Sequence, residues 1–170
     1  PMISDSFSRR MLPIARFDAQ AAATIAGLIG GTAYLAAQTF FALLDAEVTA
    51  WASLQRIGAM VLGADAAPPS RLSPVPVIGM ALLIHTVLSI IYGHFIGMVV
   101  RRFDMLRACL LGAIVGLVLF GLNLFVIAPG AFPWFDGART LTTAADHMLF
   151  GGVTAAGCVL LRRRDHGTIT

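Results

Sequence analysis

The 170-residue chain has no lysine, and charged side chains of both signs make up only 12% of it, against about 25% in a soluble domain. So few charges cannot clothe a water-soluble globule, and that class is excluded. Cysteine is nearly missing as well. Cys109 and Cys158 are the only two, they belong to no CxxC or CxxCH pattern, and both fall near segment ends assigned below to the cytoplasmic side. A disulfide framework and covalent haem attachment are therefore not expected. Enzyme signatures are absent too: there is no HExxH, no GxSxG and no phosphate-cradling glycine loop. Catalysis is the least supported class. The net charge of +3 rests on arginines clustered at the ends of apolar segments, where they meet lipid headgroups, so nucleic acid is not an expected partner.

What the chain does have is apolar length. Hydrophobic residues make up 58% of it. Charge-free runs cover 19–44, 72–100, 108–135 and 140–161, the last broken only by Asp146, and each exceeds the ~20 residues a helix needs to cross a bilayer. Backbone groups must be paired internally in hydrocarbon, and the alternating pattern of barrel strands is missing, so the runs predict helices. The expected fold is an all-α, four-transmembrane-helix bundle in one domain, residues 1–170, with spans near 19–44, 76–100, 108–128 and 140–161. Arg9, Arg10 and Arg16 precede the first span, Arg101, Arg102 and Arg107 join the second and third, and Arg162, Arg163 and Arg164 follow the fourth. The positive-inside rule then puts both termini in the cytoplasm. The opening segment, with Arg9-Arg10 and Phe7, Met11, Leu12, Ile14 and Phe17, reads as a retained cytoplasmic arm rather than a cleaved signal.

The link RRFDMLR predicts a tight antiparallel hairpin of the second and third spans. The connection between the first two spans is far longer and carries its own element, an extracytoplasmic amphipathic helix over 47–62. Its wheel gathers Trp51, Leu54, Ile57, Val61 and Leu62 on a lipid-facing side and leaves Ser53 and Arg56 on the other. In the last loop Phe132, Trp134 and Phe135 are expected as an anchor at headgroup depth. Small residues four apart, Gly27 and Gly31, Gly93 and Gly97, Gly112 and Gly116, and Gly152 with Ala156, predict close helix packing, within the bundle or against a partner.

Polar groups inside the spans are the candidates for function: His85, Ser89, Tyr92 and His94 in the second, Asn123 in the third, Asp146 and His147 in the fourth. His85, Ser89 and Tyr92 share one helix face, with His94 opposite. His85 and His147 each sit roughly 5 Å outward of midspan at 1.5 Å rise per residue, so the two imidazoles are level. Level histidines on two helices could ligate haem b or a metal, or hold a quinone. Asp146 is expected to cap or pair locally, with Arg139 near enough to neutralise it, and Asn123 to bond between helices. No metal site is assigned, and no helix looks broken at midspan.

At LQRIGAMVLGADAAPP, IHTVLSIIYG and PWFDGARTLTTAADHMLFGG the chain resembles small four-helix bacterial integral membrane proteins of uncharacterised function. The resemblance implies this topology and no activity. The expectation is a bacterial inner-membrane protein in contact with the lipid bilayer. Its first expected role is a non-catalytic accessory or assembly subunit of a larger membrane complex, of respiratory or photosynthetic kind. The alternatives are a small haem b, metal or quinone binder using His85 and His147, and a homo-oligomeric channel or carrier.

Overall fold

The structure, a computed structural model, describes residues 18–44, 50–70 and 72–163. The expected N-terminal arm and residues 47–49 of the expected interfacial helix lie outside them. Among the described residues there is no strand. Helix α1 runs Ala19–Leu44, with Asp18 accepting from the Ala21 amide at 2.6 Å to cap its start. Helix α2 runs Ala50–Leu62, and Gly63, at φ +89°, turns the chain into a single 3-10 turn, Ala64–Ala66. Helix α3, Pro74–Val100, starts on proline, whose missing N–H costs nothing there.

Helix α4 spans Met105–Ala131. It begins before the expected residue 108 because Asp104 accepts from the Arg107 amide at 3.1 Å and caps it. After a 3-10 segment, Pro133–Ala138, helix α5 runs Leu141–Arg163, its first turn held by Thr140 Oγ1, which accepts from the Thr143 amide at 3.1 Å. Helices α1, α3, α4 and α5 are long and apolar enough to cross a membrane. The protein is a multi-pass, all-α membrane protein.

Helix α5 is the centre of the bundle and packs on α4, α1 and α3, while α1 and α2 flank α3. The expected hairpin of α3 and α4 exists as a chain connection but not as a packed pair, because α4 lies mainly on α5. The reason is shape. Gly112 and Gly116 bring α4 so close to Gly151 and to the His147 carbonyl that a Cβ at either glycine would collide with α5 backbone. Gly27 meets Gly93 and the Ser89 carbonyl in the same way, which joins α1 to α3. Gly31 lies against Ser89 and His85, and Gly97 against Ala23 and Cys158. Small residues permit this approach where lipid supplies no hydrophobic drive between helices. The core at the end of the bundle carrying the α3–α4 link contains Ala26, Ile96, Val100, Ala108 and Val159, all fully buried. At that end the Arg162 guanidinium donates to the carbonyls of Arg101 and Phe103. Cys109 and Cys158 are free thiols.

Two readings of the opposite end need correction. Helix α2 does not show lipid the whole of its apolar side. Val61 is 63% exposed and Leu62 is exposed, whereas Gln55, Gly58 and Ala59 are buried, because Gly58 lets the helix settle onto the Val77 carbonyl. Nor do the loop aromatics simply mark headgroup depth. Trp134 turns inward and its indole N–H donates to the Arg56 carbonyl at 3.0 Å, fastening the 3-10 segment to α2.

Candidate functional site

Between α2 and the ends of the four spans opens a cavity of about 930 Å³, at the upper end of the ~300–1,000 Å³ typical of small-molecule sites. Its lining includes Arg56, Phe132, Phe135 and Thr140 and is largely apolar, with Phe41, Leu88, Ile127 and Phe150 among the wall residues. Its polar lining includes His85, Ser89, Tyr92, Asn123, Asp146 and His147, together with Tyr34 and Gln38.

The sequence-derived stripe on α3 therefore comes together with the polar residues of α4 and α5, while His94 does not line the cavity and is bonded to the Ile90 carbonyl of its own helix at 2.9 Å. Tyr34 is the hub of the cluster. Its ring centroid lies 5.6 Å from that of His85 and 5.1 Å from that of His147, the latter edge-on at 87°. The Phe120 ring also packs on the His147 imidazole, with centroids 5.6 Å apart. Tyr34 shares a hydrogen bond with Gln38 one turn away.

Neither Tyr34 nor Gln38 is among the candidates drawn from the sequence. The signal that would have found them is their spacing: with Gly27 and Gly31 they make a stripe at 27, 31, 34 and 38, one face of a helix. That face first meets α3 through glycine and then turns polar.

Each histidine carries one bond that fixes its tautomer. His85 Nε2 lies 2.9 Å from the Gly31 carbonyl and His147 Nδ1 lies 2.8 Å from that of Thr143. A carbonyl only accepts, so these nitrogens donate, and in the uncharged ring His85 Nδ1 and His147 Nε2 remain as acceptors. Ser89 donates to the His85 carbonyl at 2.7 Å, and Tyr92 donates to Asn123 Oδ1 at 2.9 Å, linking α3 to α4.

Asp146 departs from expectation. It is only 2% exposed, and its Oδ1 has no hydrogen-bond partner. Arg139 does not neutralise it, because that guanidinium is engaged elsewhere: with Asp136 at 2.6 Å, over the Phe125 ring at 5.3 Å, and through Nε to the Leu124 carbonyl at 3.0 Å. The last bond has a clear origin. From Leu122 to Ile127 helix α4 widens into a π-helix, in which Ala128 donates to the Asn123 carbonyl. The matching donor for Leu124 would be residue 129, which is proline and has no N–H. Arg139 supplies the missing donor. The third span stays continuous over Met105–Ala131 with this π segment beyond its middle, and π turns of this kind concentrate at functional sites.

Arg56 is the second unmatched group. Its Nε is buried without a hydrogen-bond partner, and loss of water holds the guanidinium below its usual pKa. It lines the cavity together with Ser53.

Among the described residues no group of three or more His, Cys, Asp or Glu side chains is placed to hold a metal ion. A haem with both histidines as axial ligands would have to displace Tyr34, whose ring touches both imidazoles. No protein-family model, curated protein or solved structure matches this chain. The fold and the site together define a class, a four-span helical membrane protein with a cavity at one end, and the chemistry has to be read from the cavity.

Proposed function

We propose that this protein binds a small membrane-soluble amphiphile of quinone type, with its ring near His85 and His147 and its apolar remainder along the cavity wall. The observation that carries the reading is the cavity itself: about 930 Å³, mainly apolar, with an unpartnered buried carboxylate and two imidazoles in its lining. An unmet buried polar atom is costly, and a ligand group offsets that cost. The accessory-subunit reading drew on a surplus of glycine faces. Gly27, Gly31, Gly93, Gly97, Gly112 and Gly116 all meet neighbours within the bundle, so these positions offer a foreign subunit no free surface, and the ligand-binding alternative is favoured. The proposed setting is a bacterial inner membrane with the termini in the cytoplasm and the cavity on the other side, as the arginine distribution supports.

Isothermal titration of the full chain in lipid nanodiscs with decyl-benzoquinone and decyl-hydroquinone tests the reading. At least one should show saturable one-to-one binding, and Ala42→Trp, which projects a bulky ring into the cavity wall, should remove it. Partitioning indistinguishable from that of empty nanodiscs for both compounds contradicts the proposal.

A further inference from the structure

Resting on that reading, we infer that the ligand carries a carboxylate on its ring and that Arg56 binds it, so that the cavity selects an aromatic acid over the corresponding ester or quinone. The starting point is the one cation in the lining. Arg56 and Asp146 are the only charged side chains among the described residues that line the cavity. They do not pair with each other, since the ion pairs among the described residues are Arg107 with Asp104 and Arg139 with Asp136. Arg56 Nε is buried with no hydrogen-bond partner. Its place is set from the backbone: the Arg56 carbonyl accepts from the Trp134 indole at 3.0 Å, and Nη2 lies 3.4 Å from the point where a side chain on Gly137 would begin. The guanidinium thus sits between α2 and the 3-10 segment, with no side chain on Gly137 to crowd it.

A partly buried cation without a counter-ion is costly, and an anion brought by a ligand offsets that cost. A carboxylate laid side-on takes the Nε–H and one Nη–H together, a two-point match that a single carbonyl oxygen does not make. Ser53, three residues earlier on the same side of α2, adds a hydroxyl to that part of the lining. Asp146 does not stand in the way of such a group. It lies five residues into α5 from Leu141, about 7.5 Å of helical rise, whereas Arg56 sits beside Gly137, ahead of that helix. An acid held at Arg56 leaves the ring to reach inward toward His85 and His147, as the reading of the cavity requires.

The test compares three compounds with one tail: decyl-hydroxybenzoic acid, its methyl ester and decyl-benzoquinone. Each is titrated calorimetrically into the full chain in nanodiscs at about pH 7.5, where a carboxylic acid is ionised, with empty nanodiscs as the reference. The acid should bind about tenfold or more tightly than either of the others. Arg56→Gln removes the charge and should narrow that preference to about threefold or less, and Arg56→Lys, which keeps the charge but loses the fork, should fall between. Equal affinities, or tighter binding of the ester or the quinone, overturn the inference and leave the cavity reading standing. An undiminished preference in the Arg56 variants overturns it as well. Failure of all three compounds to bind removes the cavity reading and the inference with it. The wild-type comparison and Arg56→Lys decide the matter even where Arg56→Gln does not fold.

Discussion

At the end of the bundle carrying the α3–α4 link, helices meet backbone to backbone: Gly112 and Gly116 on α5, Gly93 on Gly27, Gly157 on Ala26. At the α2 end a cavity opens among the same helices, with Tyr34, Phe41 and Phe150 in its lining. The contrast follows from side-chain size along each helix. Where the inward stripe is glycine or alanine the backbones close. Where it continues into tyrosine, glutamine and histidine, a cavity is lined and side-chain hydrogen bonds join the helices. One end is thereby a rigid clasp, and the other is free to carry polar groups that a closed helical interface would not accommodate.

The largest expected effect comes from breaking the clasp. Gly112→Leu drives a side chain into the Gly151 carbonyl and Ala155, and it should cost about 3 kcal/mol or more, read as a lowered thermal midpoint in detergent. Gly79→Leu is the control, since a side chain there meets nothing within 4 Å; it should stay within about 0.5 kcal/mol of the parent. Similar losses in both variants would show that the glycine contacts do not set the packing.

Next in size is the support of the π segment. Arg139→Met leaves the Leu124 carbonyl without its donor and should cost about 2 kcal/mol, with faster amide exchange confined to residues 122–131. Unchanged exchange there would show that Arg139 is not what completes this turn. At about 1 kcal/mol, Trp134→Phe keeps the ring and loses the bond to the Arg56 carbonyl. It should speed exchange in α2 and leave α5 as it was, whereas uniform loosening would contradict the fastening role. The smallest effect belongs to the polar link across the cavity end. A double-mutant cycle of Tyr92→Phe and Asn123→Ala should return a coupling near 0.6 kcal/mol, the ordinary value for such pairs in membranes. A coupling of zero would mean that their hydrogen bond is not maintained in lipid.

How much of this was legible in the sequence depends on whether the determinant is local. The four spans are, because run length alone decides whether a helix crosses a bilayer. The grouping of His85, Ser89 and Tyr92 on one face, with His94 left out, follows from fixed helical geometry. The level placement of His85 and His147 follows from the helical rise, and both line the cavity. What the sequence hid depends on partners far along the chain. The widening of α4 is completed by Arg139, fifteen residues beyond Leu124. The inward turn of Trp134 depends on a carbonyl 78 residues away. Arg56 faces the cavity because Gly58 docks on Val77; an amphipathic wheel records polarity but not which side of a helix finds a neighbour. Tyr34 escaped because a tyrosine in an apolar run reads as bulk until its contacts with two histidines are known.

The most direct measurement of the central claim, that the α2 end holds a small amphiphile, is native mass spectrometry of the protein released straight from its own membrane, alongside the Ala42→Trp variant. The wild type should retain one small apolar molecule that the variant lacks, with the remaining phospholipid pattern the same in both. Bare polypeptide in both spectra, or an identical set of bound lipids, would contradict the claim.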